Sequence, residues 1–130
     1  MKLRIRGNSI RLRLGESEVA RLAKEGCVSE STLFSALPGN QLTCTVVTSG
    51  EDKEIFARLH DHEITVTVAQ GLCQAWANSA QVGLRHEQWI NDHVSLSIVI
   101  EKDFRCFEPR PGEDQSDSFP NPAQGTACGH

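Results

Sequence analysis

Charged and hydrophobic residues alternate through the first fourteen positions of the chain, MKLRIRGNSIRLRL. A period of two is typical of β-strands that bury one face and expose the other. Gly7 and Asn8 interrupt the alternation, and both residue types tolerate the positive φ of a tight turn. The pattern therefore predicts a hairpin whose buried face consists of Leu3, Ile5, Ile10, Leu12 and Leu14.

The rest of the chain up to residue 103 continues as strand pairs and helices. ESEVARLAKEG predicts a helix with glycine as its C-terminal stop. Residues 27–35 and 41–48 predict two strands, the second rich in β-branched side chains. EIFARLH and EITVTVA predict a second hairpin, AQGLCQAWANS a short helix, and VGLRHEQW and VSLSIVIEKD two closing strands.

These elements fall into two halves that coincide, without a gap, when the chain is shifted by 54 residues. Arg4 then coincides with Arg58, and Val28 with Val82. The prediction is a single α+β domain over 1–106 with two ββαββ pseudo-repeats, 1–50 and 55–104. We expect an antiparallel sheet or barrel of about eight strands with two short helices. An open mixed sheet without duplication is the alternative.

The polar face of the first hairpin is basic. It carries Lys2, Arg4, Arg6, Arg11 and Arg13, and Arg58 occupies a matching place in the second half. Like charges across a strand pair repel each other, so the face requires water, an anion or acidic groups from elsewhere. One interpretation is a solvated face, and another is an anion site or docking face. In a closed barrel with interior arginines, the site would suit a polyphosphate, with Glu101 and Asp103 holding a metal.

The C-terminal stretch EKDFRCFEPRPGEDQSDSFPNP combines prolines, phenylalanines and carboxylates. Prolines reduce the entropy that a segment loses on ordering, and aromatic rings can anchor it. We therefore predict that residues 107–122 form an ordered acidic strap, anchored by Phe107 and Phe119, with carboxylates facing the arginines. Residues 123–130 are expected to be flexible. The alternative is an acidic end that only confers solubility.

Histidines and cysteines raise the question of a metal site. His60 and His62 share a strand face, and Cys128 and His130 form a Cys-x-His pair near the terminus. A metal needs three or four convergent ligands, so a polar turn and a flexible end are the simpler interpretations. The five cysteines include no Cys-x-x-Cys, which favours small buried apolar side chains in a reducing compartment.

Composition narrows the function class. The 130 residues are 38% hydrophobic and carry a net charge of −4, which is typical of a globular domain and does not favour nucleic-acid binding. We expect a cytoplasmic protein, because no run of the sequence resembles a membrane span or a secretory signal. The sequence contains no nucleophile elbow, phosphate-binding loop or dinucleotide fingerprint.

The segments MKLRIRGNSIRLRL, SEV, QVG and EKDFRC…PRPGEDQSDSFPNP resemble a family of small bacterial proteins of unknown function. The resemblance spans most of the chain and is strongest at its two ends. It implies a cytoplasmic bacterial protein whose tail belongs to the domain, and it provides no catalytic residues.

The preferred hypothesis for function is a non-enzymatic binding or interaction module with a basic hairpin face. Its partner would be a small anionic ligand or a protein. The alternatives are a small metal- or phosphate-dependent enzyme that acts on an anionic substrate, and a metal-binding protein. The sequence leaves both the cofactor and the oligomeric state open.

Overall fold

A computed structural model describes residues 1–50, 54–104 and 116–120. Over these residues, the predicted α+β fold with eight strands and two helices is confirmed. The elements are β1 (Lys2–Arg6), β2 (Ser9–Leu14), α1 (Glu16–Glu25), β3 (Cys27–Leu33), β4 (Gln41–Ser49), β5 (Ile55–His60), β6 (Glu63–Ala69), α2 (Gln70–Ala77), β7 (Gly83–Trp89) and β8 (Ser95–Lys102).

The strands form two four-stranded mixed sheets. Sheet I has the order β1-β2-β8-β7, and sheet II has the order β3-β4-β6-β5. The central pairs, β2 with β8 and β4 with β6, run parallel. The expectation of one antiparallel sheet or barrel is therefore wrong: there are two sheets, each with a linear strand order, and each is mixed. The central strands hold most of the buried strand residues, as is usual for parallel pairs, and this arrangement joins the first hairpin of the chain to the last.

The strand registers of the two sheets correspond after a shift of 54 residues, except at one strand. Ser9 pairs with Ser97 in sheet I, and the corresponding pair in sheet II is Glu63 with Thr43. The register of strand β7 is shifted by two residues. The segment between α2 and β7 is longer than that between α1 and β3, and the loop between β7 and β8 is shorter than that between β3 and β4. The expectation of a match without a gap is therefore wrong at β7.

The slip changes which residues are equivalent. Val28 pairs with Val46, and the corresponding pair in sheet I is Leu84 with Ile100. Leu84 is buried like Val28, whereas Val82, the residue predicted to match it, is 49% exposed.

One hydrophobic core joins the inner faces of both sheets to the two helices. Leu12, Leu22 and Trp76 have no exposed surface, and α1 packs against α2. Two expectations fail at the margins of this core. Ile5 is 59% exposed because it lies on edge strand β1 close to the hairpin turn, and Cys27 is exposed because it faces outward on edge strand β3.

Candidate anion-binding site

The β1–β2 hairpin places its cations on the outer face of sheet I. The register pairs Lys2 with Arg13, Arg4 with Arg11 and Arg6 with Ser9. The two-residue turn at Gly7 and Asn8 sets this register, and Gly7 has the positive φ of 55° that such turns require. The predicted basic surface therefore exists on one sheet face. It points away from the core, so the idea of arginines inside a barrel is corrected.

Carboxylates at the end of β8 neutralise part of this surface. Arg13 Nε donates to Glu101 Oε1 at 2.7 Å, and Arg11 lies 3.8 Å from the same oxygen. Lys2 Nζ lies 3.0 Å from Asp103 Oδ2. Glu101 and Asp103, which the sequence suggested as metal ligands, therefore face cations.

Two arginines remain without such partners. Among the residues that the structure describes, no ion pair involves Arg4 or Arg6. Together with Ser9 and Arg11, they line a surface cleft of about 160 Å³. The Ser9 hydroxyl donates to the Arg6 carbonyl at 2.6 Å, which stabilises the turn below the cleft. The cleft therefore presents three guanidinium groups, of which one is close to a carboxylate.

Arg58 does not join this group. It lies on strand β5 of sheet II, in register with Thr65. The positions that correspond to Arg11 and Arg13 in that sheet are Thr65 and Thr67, so the outer face there carries hydroxyls in place of guanidinium groups.

The described part of the tail, residues 116–120, packs against the start of α1. Ser17 donates to the Asp117 carboxylate from its backbone N–H at 3.1 Å and from its hydroxyl at 2.8 Å. Glu16 N–H donates to the Asp117 carbonyl at 2.8 Å. Asp117 thus caps a helix whose own N-cap residue, Gly15, has no side chain. Its carboxylate bonds to a helix end, not to an arginine as predicted.

Phe119 contributes to the packing of this segment. Its ring centroid lies 5.6 Å from that of Phe104, and its N–H donates to the Asp103 carbonyl at 2.7 Å. The ring is half-buried and packs against the core. The other predicted anchor, Phe107, and the carboxylates Glu108, Glu113 and Asp114 lie outside the described residues, so the strap over 107–122 stays a prediction.

A buried lysine beneath this segment was not singled out from the sequence. Lys102 is 6% exposed, and its Nζ donates to the Ser79 carbonyl at 2.7 Å. The ammonium lies 5.9 Å from the Trp76 ring centroid and 5.5 Å from that of Phe119. Desolvation lowers the pKa of Lys102 below its ordinary value of 10.5. The sequence did contain a signal for the burial of Lys102. It follows Ile98 and Ile100 at every second position of β8, so it lies on the same buried face of the strand.

The predicted metal ligands do not converge. His60 ends β5, and Asp61 and His62 form the sharp turn that follows, with φ of 44° and 65°. The expectation that His60 and His62 share a strand face is therefore wrong. Its Nε2 lies 3.1 Å from the carboxylate of Asp61, and both side chains are largely exposed. Within residues 1–50, 54–104 and 116–120, no group of three His, Cys, Asp or Glu side chains could hold a metal. Cys128 and His130 lie outside the described residues.

The cysteines inside the fold include two that are buried. Burial raises the pKa of the Cys44 thiol to about 11, and burial also raises the pKa of Cys73. Both are free thiols that behave as small core side chains.

Residues 1–123 match the model of a family described as a family of unknown function, DUF7009. The chain belongs to this family. The resemblance seen in the sequence is thereby confirmed at the level of the family, whose match covers both the basic hairpin and residues 116–120. Neither the curated proteins nor the solved structures contain a match to the chain. Across its described residues, neither helix has the length and apolar character needed to cross a membrane.

Proposed function

We propose that this DUF7009 protein is an anion-binding module whose site is the cleft formed by Arg4, Arg6, Ser9 and Arg11. The observation that carries the proposal is the contrast within the basic face. Arg11 and Arg13 face Glu101 and Lys2 faces Asp103, whereas Arg4 and Arg6 have no ion pair among the described residues. Clustered like charges are unfavourable unless water or an anion compensates them.

The chemistry of the cleft suits a single phosphoryl or carboxylate group. Guanidinium groups bind such groups through two parallel N–H bonds and stay charged at all physiological pH values. The cleft volume of about 160 Å³ corresponds to roughly five water molecules. That space is large enough for one tetrahedral anion.

Titration with inorganic phosphate and pyrophosphate at low ionic strength tests the proposal, with amide chemical shifts of Arg4, Arg6 and Arg11 as the readout. The double variant Arg4→Ala/Arg6→Ala should weaken binding by about 100-fold or more, because it removes two charge-assisted hydrogen bonds that each contribute about 1.5–3 kcal/mol. Binding should also weaken as salt rises.

Arg58→Ala is the matched control, because Arg58 holds the corresponding position in sheet II without neighbouring guanidinium groups. It should leave the titration unchanged. The proposal fails if Arg58→Ala and the double variant weaken binding equally, or if the wild-type amides of the cleft do not shift.

Two broader features belong to the same proposal. The corresponding strand registers support an origin by duplication of a ββαββ unit, and superposition of residues 1–50 on 55–104 tests it. A cytoplasmic location is proposed from the sequence, and cell fractionation tests it.

A further inference from the structure

Strand β1 is an edge strand, and part of its backbone points away from β2. Arg6 and Ser9 close the two-residue turn, so Arg6–Ser9 and Arg4–Arg11 are the pairs that exchange hydrogen bonds within the hairpin. Leu3 and Ile5 alternate with them. Their N–H and C=O groups therefore point toward the outer edge of sheet I, where a further strand would bond.

At the corresponding edge of sheet II, a side-chain amide already bonds to the backbone of the edge strand. Ala57 of β5 is the counterpart of Leu3, and the side chain of Gln88 on β7 bonds to both of its backbone groups. Ala57 N–H donates to Gln88 Oε1 at 2.7 Å, and Gln88 Nε2 donates to the Ala57 carbonyl at 2.8 Å. These two bonds reproduce the pairing that a neighbouring strand would provide, and Ala57 is only 5% exposed.

No such amide reaches β1 from the described residues. The counterpart of Gln88 on β3 is Thr32, because Thr32 pairs with Leu42 as Gln88 pairs with Leu96. Its short hydroxyl side chain cannot imitate a peptide group. The Met1 ammonium, which precedes β1, lies 3.4 Å from the carboxylate of Glu30 on β3. Leu3 is only half-buried and Ile5 is 59% exposed.

We propose that β1 binds an extended segment of a partner protein as an added strand, with acidic and apolar side chains alternating along it. This inference rests on the proposed function, because the same arginines receive the acidic side chains. An added strand would place every second side chain over Arg4 and Arg6, and the intervening ones beside Leu3 and Ile5. Main-chain bonds supply affinity in such complexes, and the alternating side chains supply specificity.

The charge of β1 argues against a second copy of this chain as the occupant. Two β1 strands paired along their free edges would place Lys2, Arg4 and Arg6 of one copy beside those of the other. Like charges directly across a strand pair are destabilising, and charged edges of this kind keep sheets from pairing with themselves. An acidic partner removes that repulsion.

Two peptides of identical composition test the inference. One is an acetylated, amidated heptapeptide that alternates glutamate and valine, and the other groups the glutamates before the valines. The alternating peptide should bind about tenfold tighter, which corresponds to about 1.4 kcal/mol. It should also slow hydrogen exchange at the amides of Leu3 and Ile5. Equal binding of both peptides, or binding without this protection, would overturn the added strand.

A proline substitution tests the binding of an added strand independently of anion binding. Ile5→Pro removes an N–H that the hairpin does not use, a placement that edge strands tolerate. It should abolish the preference for the alternating peptide while phosphate binding persists. The matched control is Leu59→Pro, which changes the corresponding edge position of β5 and should preserve both activities. Circular dichroism and thermal melting verify that each variant is folded.

The outcomes distinguish the two proposals. Undiminished phosphate binding in folded Arg4→Ala/Arg6→Ala, together with loss of the peptide preference in folded Ile5→Pro, would overturn the anion site alone. Retained peptide preference in folded Ile5→Pro would overturn the added strand alone. Concentration-dependent dimers that Ile5→Pro dissociates would show that the edge serves a second copy, which would also overturn the inference.

Discussion

The hairpins β1–β2 and β5–β6 hold corresponding positions in the two sheets but differ at their outer edges. At β5, the Gln88 side chain closes the edge by bonding to Ala57 on both backbone groups. At β1, Thr32 stands at the corresponding place, and the edge strand is lined with cations. The outer edge of β5 is therefore bonded to the rest of the fold, whereas no described residue bonds to the outer edge of β1. Two hairpins of the same topology thus differ at their outer edges because a single side chain differs.

The helices that follow these hairpins show a second contrast. Gly15 and Ala69 are the N-cap residues of α1 and α2, and neither has a side chain that caps a helix. Asp117 supplies the missing cap at α1. A Cβ at Gly15 would collide with the Asp117 carboxylate, so this glycine allows the close approach of the tail. The first half of the fold thus depends on residues that lie after the second half.

Gln88→Ala should have the largest effect on stability. It leaves the buried N–H and C=O of Ala57 without their partner, and unsatisfied buried groups cost about 1–3 kcal/mol each. We expect the free energy of unfolding to fall by about 2–4 kcal/mol in urea denaturation. Gln41→Ala, at the exposed end of β4, should be nearly neutral. Equal effects of the two substitutions would contradict the role of Gln88 in closing the edge.

Phe119→Ala should destabilise the tail contact more than Asp117→Asn does. Truncating this half-buried ring should cost about 1–3 kcal/mol, less than the 3–5 kcal/mol typical of a fully buried ring. Asparagine is itself a good N-cap, so Asp117→Asn should cost well under about 1 kcal/mol. Urea denaturation gives both values, and hydrogen exchange at Glu16 and Ser17 reports the cap.

Phe34→Ala is the control for ring truncation, because Phe34 is 68% exposed. The role of Phe119 in anchoring the tail is wrong if Phe119→Ala lowers the free energy of unfolding no more than Phe34→Ala does.

Thr32→Gln tests whether one amide can convert the open edge into a closed one. The new side chain should reach Leu3 as Gln88 reaches Ala57, stabilising the fold by about 0.5–1.5 kcal/mol. It should also slow exchange of the Leu3 amide and reduce binding of the alternating peptide. Ser31→Gln, which places the same side chain on the outer face of β3, should do neither. Unchanged Leu3 exchange in Thr32→Gln would show that the two edges are not geometrically equivalent.

The smallest expected effect concerns pH. The pKa of Lys102 is lowered in the folded protein by desolvation, so the unfolded chain binds more protons between the folded pKa and 10.5. In that window, this lysine makes stability rise with pH, and below the folded pKa its unfavourable contribution is constant. Lys102→Met should remove that slope in urea denaturation series. Lys24→Met, on the exposed side of α1, should retain it.

The sequence alone determined the local elements and the basic face. Period-two alternation on both sides of Gly7 and Asn8 predicts the first hairpin, and a two-residue turn dictates its register. The five cations therefore had to share one face wherever the hairpin packed. The helices, the second hairpin and most core positions follow equally from local periodicity, because burial of one face is a local property of a strand or helix.

The tertiary structure decided which distant groups meet. Arg13 pairs with Glu101 across 88 positions, and Ser17 bonds to Asp117 across 100 positions. No local pattern carries that information, because the parallel pairing of β2 with β8 arises when the apolar strands bury their faces in one core. The same packing left Arg4 and Arg6 on an edge strand, without an ion pair among the described residues, and it placed the Gln88 amide at one of two similar edges.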